Sequence, residues 1–524
     1  MARSRLFSLV QRSLMAEGVL PPGPKALSRR QALLIGGAAV LAACTPKEMD
    51  MMPGAGGDTP DVAIIGGGIA GLTVAYRLQK AGRRVTIYEA SGRLGGRMFT
   101  KRNFNAQGQF CELGGELVDS NHEPLIKLAA ELGVGLQRLK DDKHGGEAVF
   151  LHDGKVRVEH ELLRNGRGSF LPIARQMARD KKALTDKDDN WTKRAEQLDQ
   201  LSIAQYMRQF KGKAPAWVLD WIDLAYWGEY GMPTDQQSAL NLIDFMAPDP
   251  AGDFSMFGES DEAWRIVGGS SSLPDAVIDK LGNMVAIRKG YGLRAVTNNG
   301  GRFRLSFSTD RGSVDASHAT VVFALPFTKL REVAGLESLG LETQKLKSIR
   351  ELGYGDNCKV MVGTTGRPWN GSEAKLPVKS SGEFYGQDYQ VAWDTSRGQD
   401  GSRGILTNFL TATTDQAFAL ERLEKGLREL SPAMADSLDP TNVASFFWNK
   451  YPYSKGSFVS PSVGQYTTLF EVAGAPALDG RLQFAGEHTS PNFSGFMCGA
   501  VESGERVAAA LLGEKAAGVR AKAA

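Results

Sequence analysis

Six residues, Gly66-Gly67-Gly68-Ile69-Ala70-Gly71, carry the plainest chemistry in the chain. They fit the pattern GxGxxG, which brings a backbone against a pyrophosphate. Gly66 permits the tight turn, Gly68 admits the phosphate, and Gly71 lets a helix close onto a strand. The flanks supply the elements that such a loop needs. Asp61-Val-Ala-Ile-Ile65 is a continuous apolar run, the pattern of a buried parallel strand. Leu72 to Leu78 continues with helical spacing, Gly82 closes that helix, and Arg84-Val-Thr-Ile-Tyr88 reads as a second strand ending in Glu89. The helix N-terminus offers unpaired N–H groups to phosphate. Glu89, eighteen residues past Gly71, stands where a carboxylate accepts both hydroxyls of an unphosphorylated adenosine ribose. Strand, loop, helix, strand and acid together predict a dinucleotide site.

The next segment says which dinucleotide. Ser91-Gly-Arg93-Leu-Gly95-Gly96-Arg97 sets two glycines between two arginines, which suits a second clamp on a pyrophosphate. A permanently held FAD receives such closure more often than a mobile nicotinamide cofactor. On these residues the chain resembles the FAD-dependent amine oxidase family, which includes monoamine, polyamine and L-amino acid oxidases. The likeness continues in Cys111-Glu-Leu-Gly114-Gly115-Glu116, in Arg265-Ile-Val-Gly268-Gly269 with Leu273-Pro274, and in Val321 to Pro326. It extends through Cys358-Lys359-Val360 with Trp369, then Phe484-Ala-Gly486-Glu487-His-Thr489 and Gly495-Phe496-Met497-Cys498-Gly499. These landmarks run in family order over about residues 60–513.

The resemblance implies roles for particular side chains. A helix beginning near Met497 would aim its dipole at the flavin edge that becomes anionic on reduction. Glu487 corresponds to a residue at the ribityl or pyrophosphate region; otherwise it is an acid satisfied by backbone N–H groups at a helix entry. Leu293 aligns with the position whose backbone meets the adenine. Lys359 corresponds to the lysine near flavin N5, tied to oxygen reactivity or imine hydrolysis; its plain alternative is a surface lysine at a strand start. Phe458 and Phe496 correspond to the two rings that sandwich the substrate amine, or else are core phenylalanines. In Tyr453-Ser-Lys-Gly-Ser457, serine stands where animal monoamine oxidases carry the cysteine bonded to the flavin, so non-covalent FAD is expected.

The activity implied is oxidation of the C–N bond of a primary amine, diamine or polyamine. Hydride passes to flavin N5, the imine hydrolyses to a carbonyl, and O2 (giving H2O2) or another acceptor reoxidises the flavin. Such a site needs orientation and a dry cavity more than acid–base groups. L-amino acid oxidases of the family place an arginine shortly after the ELG motif. Here that stretch offers Glu116 and Asp119 instead, which points to a substrate's distal ammonium, or to carboxylates with no ligand. Arg265 keeps open an L-amino acid oxidase, or a dehydrogenase feeding a membrane electron carrier rather than O2, including one for basic amino acids such as arginine or lysine. A flavin-stabilised binding protein without turnover is the third reading.

An α/β fold follows. A Rossmann-type FAD-binding domain with a parallel sheet is expected from residues 60–138, 258–330 and 452–515. An interleaved α+β substrate domain is expected from 139–257 and 331–451, the first of these mostly helical, with Trp217 and Trp221 packed in a core or touching substrate. The 524 residues carry a formal charge of +3, but residues 1–44 alone hold six basic side chains against one acid. The rest is therefore slightly acidic, at 3 − 5 = −2, and offers no attraction to nucleic acid. Four scattered cysteines and six histidines without ligand spacing suggest neither a disulfide framework nor a metal site.

The basic segment reads as an address. Arg29-Arg30 precede a twelve-residue apolar run, Ala32 to Ala43, the form of a twin-arginine signal peptide. Leu41-Ala-Ala-Cys44 looks like a lipobox that would lipidate Cys44, or else a cysteine beside an ordinary cleavage site. Export to the periplasm or its membrane face is expected, with residues 45–59 as a linker and 516–524 as a tail. Oligomeric state is not legible.

Overall fold

The computed structural model describes residues 61–139, 146–246, 250–251, 255–258 and 260–514. The expected signal peptide, Cys44, the linker and the tail 516–524 lie outside the described residues.

Five short strands dominate one half: β1 (Val62–Ile65), β2 (Val85–Glu89), β3 (Val285–Lys289), β4 (Thr320–Phe323) and β5 (Leu482–Phe484). They form one parallel sheet in the order β3-β2-β1-β4-β5. β1 lies at its centre with Val62 opposite both Val85 and Thr320, and every residue of its apolar run is buried. Two helices cover this sheet, α1 (Ile69–Lys80) and α2 (Met497–Leu512). They cross closely because Gly504 has no side chain; a Cβ there would stand 2.7 Å from the Ala70 carbonyl oxygen. The strand order, reversing beside β1, is that of a doubly wound dinucleotide fold, whose ligands bind beyond the carboxyl ends of the strands at that reversal.

The other half is built on a seven-stranded mixed sheet. Its order runs Leu438–Phe447, Cys358–Thr364, Gly404–Leu410, Gln390–Asp394, Ser380–Gly386, Glu147–His152, Lys155–Val158. The helix Ala216–Tyr230 packs its Trp217, Trp221 and Tyr226 into a core shared with Tyr385 and Val391 of that sheet. Full burial of one such aromatic contributes about 3 kcal/mol, so both tryptophans act as core residues.

Residues 146–158 depart from the helical expectation by forming a hairpin. Its two-residue turn, Asp153-Gly154, has φ of 48° and 69°. Both values are positive, and Asp-Gly is the pair that such a turn favours.

Candidate active site

The glycine loop is a cradle defined by what cannot be there. A Cβ on Gly71 would meet the Gly66 carbonyl oxygen at 2.2 Å, and one on Gly66 the Ala324 oxygen at 2.5 Å. At Gly68 the nearest atom to a Cβ is Gly96 Cα at 3.7 Å, so space remains just where phosphate must approach. Gly68 also caps α1 without a side-chain bond, which leaves the helix N-terminus open to an anion. The Gly95-Gly96 turn lies over this loop, with Gly95 N donating to the Gly67 oxygen at 2.8 Å. Both its glycines have positive φ, 98° and 59°, a conformation costly to any other residue.

Glu89 closes the loop from below, its two oxygens accepting from Gly67 N at 2.8 Å and Ser91 N at 2.7 Å. Each oxygen keeps a further lone pair for a ribose hydroxyl. Leu293 stands two residues past Tyr291, whose N–H donates to the Glu89 carbonyl at 2.9 Å, so the structure sets it on the ribose side. Gly114 and Gly115 run against the same turn. A Cβ on Gly114 would sit 1.9 Å from the Arg97 oxygen, and one on Gly115 would sit 2.6 Å from Met497 Cγ.

The two arginines expected to clamp the pyrophosphate are each also tied to the protein. Arg93 donates to the Gly96 oxygen at 2.5 Å and stacks 3.9 Å over the Phe99 ring, bracing its own turn. Arg97 pairs with Glu487 at 2.8 Å and donates to the Ser457 oxygen at 2.6 Å. Glu487 also accepts from Gly495 N at 2.9 Å and from Val459 N. One buried carboxylate thus ties together the Arg97 turn, the segment after Ser457 and the approach to α2. Gly486, with φ of 131°, makes the bend that delivers it. No side chain caps α2 at Phe496, so a second helix N-terminus opens here.

The substrate side turns on a contact that sequence reasoning missed. Lys359 and Glu116 are 5% and 8% exposed and form an ion pair of 2.9 Å. The ammonium lies 5.0 Å from the centre of the Trp393 ring, and Thr395 Oγ1 donates to the other Glu116 oxygen at 3.1 Å. Burial pushes the Glu116 carboxyl up, but the Lys359 charge overcomes it and holds the pKa below the ordinary value. A lysine in the wholly buried strand Cys358–Thr364 needs such a partner. Glu116 therefore spends its charge inside the protein, not on a free ammonium as the sequence suggested.

Asp119 is engaged likewise. It lies 3.2 Å from His122 Nε2 and accepts from Glu262 N at 2.8 Å. Phe496 packs 5.0 Å from the His122 ring, and Phe458 lies against Gly495, so both rings border one turn. Ser457 donates to Asn357 Oδ1 at 2.6 Å. Arg265 is buried, with one nitrogen donating to the Thr395 oxygen at 2.7 Å and Nε and Nη1 unpartnered. Trp393, Thr395 and His122 had no signal of their own in the sequence.

The fold and this cradle define an α/β flavoprotein type of dinucleotide-binding enzyme. Residues 69–512 match the model of the flavin-containing amine oxidoreductases, and the chain belongs to that family. It is an FAD-dependent amine oxidoreductase. It is 25% identical over 476 residues to (S)-6-hydroxynicotine oxidase of Paenarthrobacter nicotinovorans, covering 86% of this chain and 99% of that one. It is 26% identical over 457 residues to an L-amino-acid oxidase of Siganus canaliculatus, covering 82% and 81%. A double mutant of putrescine oxidase superposes with a TM-score of 0.73 at 22% identity, covering 87% of this chain and 99% of that one. That likeness concerns the fold.

The residues present fit the cofactor. Two open helix N-termini, a glycine floor with room only at Gly68, and an acid at the end of β2 form the donor set that a dinucleotide needs.

Proposed function

We propose that the chain oxidises a cationic amine, a primary amine, diamine or polyamine, to an imine that water converts to a carbonyl. The observation that supports it is the buried Lys359–Glu116 pair beside Trp393, on the strand that the family places at the flavin. FAD, when bound, supplies the two-electron acceptor for the C–H bond next to the amine nitrogen and passes the electrons to O2 or another acceptor. The chain's own residues supply the rest. Phe458 and Phe496 present ring faces that hold the amine in place. Glu116 orients Lys359, and the Lys359 N–H groups not used by Glu116 can hold the water that attacks the imine. The sealed surroundings of the pair exclude bulk water.

Arg265 supports a second reading. Its unpartnered buried Nε and Nη1 are ready to donate to a carboxylate, as an L-amino acid would bring. Anaerobic bleaching of the flavin separates the two. Bleaching by alkylamines and polyamines but not by L-amino acids supports amine oxidation; the reverse pattern overturns it. Readmitted air then distinguishes an oxidase, with rapid recovery and peroxide, from a dehydrogenase that stays bleached.

Two further readings belong with this one. FAD is held non-covalently, because Ser457 offers no thiol; flavin that stays with acid-precipitated protein would overturn that. The chain is exported by the twin-arginine route, with Cys44 as a lipid anchor. Lysines in place of Arg29 and Arg30 should strand it in the cytoplasm, as cell fractionation would show.

A further inference from the structure

Hydride can leave the carbon beside an amine only when the nitrogen lone pair is free to close the C=N bond. Near neutral pH an alkylamine in water carries a proton on that pair. Some group must take the proton. Glu116 is paired with Lys359, and Asp119 is engaged with His122 and Glu262 N. Glu229 is not so occupied. It is the penultimate residue of the helix Ala216–Tyr230 and is half-buried, and among the described residues no hydrogen bond or ion pair holds its carboxylate.

The end of the helix fixes where that carboxylate stands. Before it, the Gly228 oxygen accepts from Asn357 Nδ2 at 2.5 Å; after it, the Gly231 oxygen accepts from Asp356 N at 2.9 Å. Gly231 ends the helix with φ of 63°, and a Cβ there would lie 2.0 Å from Asn357 Oδ1. Asn357 in turn accepts from Ser457 at 2.6 Å. Glu229 is thus bolted to the strand that carries Lys359 and to the residue before Phe458. From the other side its carboxyl feels Asp119, whose partner His122 lies 5.0 Å from the Phe496 ring. Tyr230, the next residue, reaches the same ring in two steps, 6.3 Å to Phe245 and 6.2 Å on to Phe496. The supports of both aromatic rings frame this one acid.

Nothing in the fold favours a charge at that place. Burial and then Asp119 raise the carboxyl to about 7, and the negative end of the helix opposes ionisation as well. The other titratable groups that face it are Glu262, Tyr226, Tyr230 and Tyr385. Glu262 and Tyr385 share the wall of a cavity with Glu159 and Trp221. A charge so disfavoured adds nothing to stability, but it makes a good proton acceptor. A carboxyl near 7 stands closer than one at 4.5 to the roughly 10.4 of an alkylammonium, which eases transfer between them. Apolar rings around the pair narrow the gap further, since they disfavour both ions and leave the neutral acid and neutral amine.

Resting on the amine-oxidation reading, we propose that Glu229 is the base that takes the proton from the substrate ammonium. The N–H bond breaks, its electron pair stays on nitrogen, and the proton forms an O–H bond on Glu229. The C–H pair then leaves as hydride for the flavin, and the freed lone pair closes the C=N bond of a protonated imine. Glu229 gives its proton to water before the next substrate enters.

Proton counting on the oxidised, flavin-loaded enzyme tests this without turnover. An α,α-dimethylated alkylamine, which has no C–H to give up, is titrated calorimetrically at pH 8 in two buffers of different ionisation enthalpy. The parent should release close to no protons per amine bound, because the proton stays on Glu229. The isosteric variant Glu229→Gln should release close to one. A full proton released by the parent, or none by the variant, would overturn the proposal.

Anaerobic reduction of the flavin by an oxidisable alkylamine gives a second readout. In the parent, the reduction rate constant divided by the dissociation constant should rise through about pH 7, as Glu229 ionises. It should fall above about pH 10, as the ammonium disappears. In Glu229→Gln it should be at least thirtyfold lower at pH 8 and climb about tenfold per pH unit towards pH 10, since only neutral amine reacts. Asp220→Asn, on the same helix but at the surface against His152, should keep the parent's profile. The parent's profile in Glu229→Gln would sink this proposal alone. Flavin that no amine reduces at any pH, in either protein, would sink the amine-oxidation reading and this proposal with it.

Discussion

The two halves of the molecule are made specific by opposite means. The sheet β3-β2-β1-β4-β5 and its loops are shaped by side chains that are missing, at Gly66, Gly71 and Gly114, where a Cβ would overlap backbone atoms. The half built on the seven-stranded sheet is shaped by charges that are present and buried, Lys359 with Glu116 and the acids around Trp221. Missing atoms act in an all-or-none way, because close-packed backbone has nowhere to move. Buried charges act in a graded way, since protonation, partners and water all adjust their cost.

Gly71→Val puts the largest strain on this contrast. Its Cβ would lie 2.2 Å from the Gly66 oxygen, so flavin per protein should fall more than tenfold. Normal flavin absorbance in that variant would break the comparison. Next come Lys359→Leu and Glu116→Leu. Each alone leaves a buried charge unpaired and should cost about 3–5 kcal/mol in chemical denaturation, while the double variant recovers most of it. If the single losses simply add, the pair is not coupled.

Glu159→Gln sharpens the graded side. The folded carboxyl titrates near 7, above its unfolded value of 4.5, so its charge costs nothing below pH 4.5 and its full amount above pH 7. The variant should gain on the order of 2–3 kcal/mol at pH 8 and none at pH 4; a gain independent of pH would refute the assignment. Ser457→Ala is smallest, losing the 2.6 Å bond to Asn357 and about 1–2 kcal/mol, with flavin retained. A melting curve with flavin fluorescence reads both.

The same contrast explains what was legible in the sequence. A glycine forced by local geometry leaves its mark within a few positions, so the loop from Gly66 to Gly71, the turn at Gly95-Gly96 and Glu89 were all placed from their spacing. Asp153-Gly154 carried an equally local hairpin signal that the helical reading of its region passed over. Lys359 stood out as a lysine in an apolar strand, but its partner lies 243 residues away and no period links them. Glu159, Glu262 and Glu383 look like ordinary surface acids until three chain segments meet. Arg97 was marked from its spacing, whereas its bond to Glu487 is one that only the fold creates.

That bond also has a place in time. A ribosome makes the chain from the N-terminus, so the glycine loop emerges some four hundred residues before Glu487, the edge strand β5 and α2. Until those last elements appear, Arg97 has no carboxylate, β4 has an unpaired edge, and α1 lacks the helix that covers it. The cradle for the cofactor is thus complete only once β5 and α2 have emerged. A product cut short before Gly486 would lack both Glu487 and α2 and leave the apolar face of α1 uncovered.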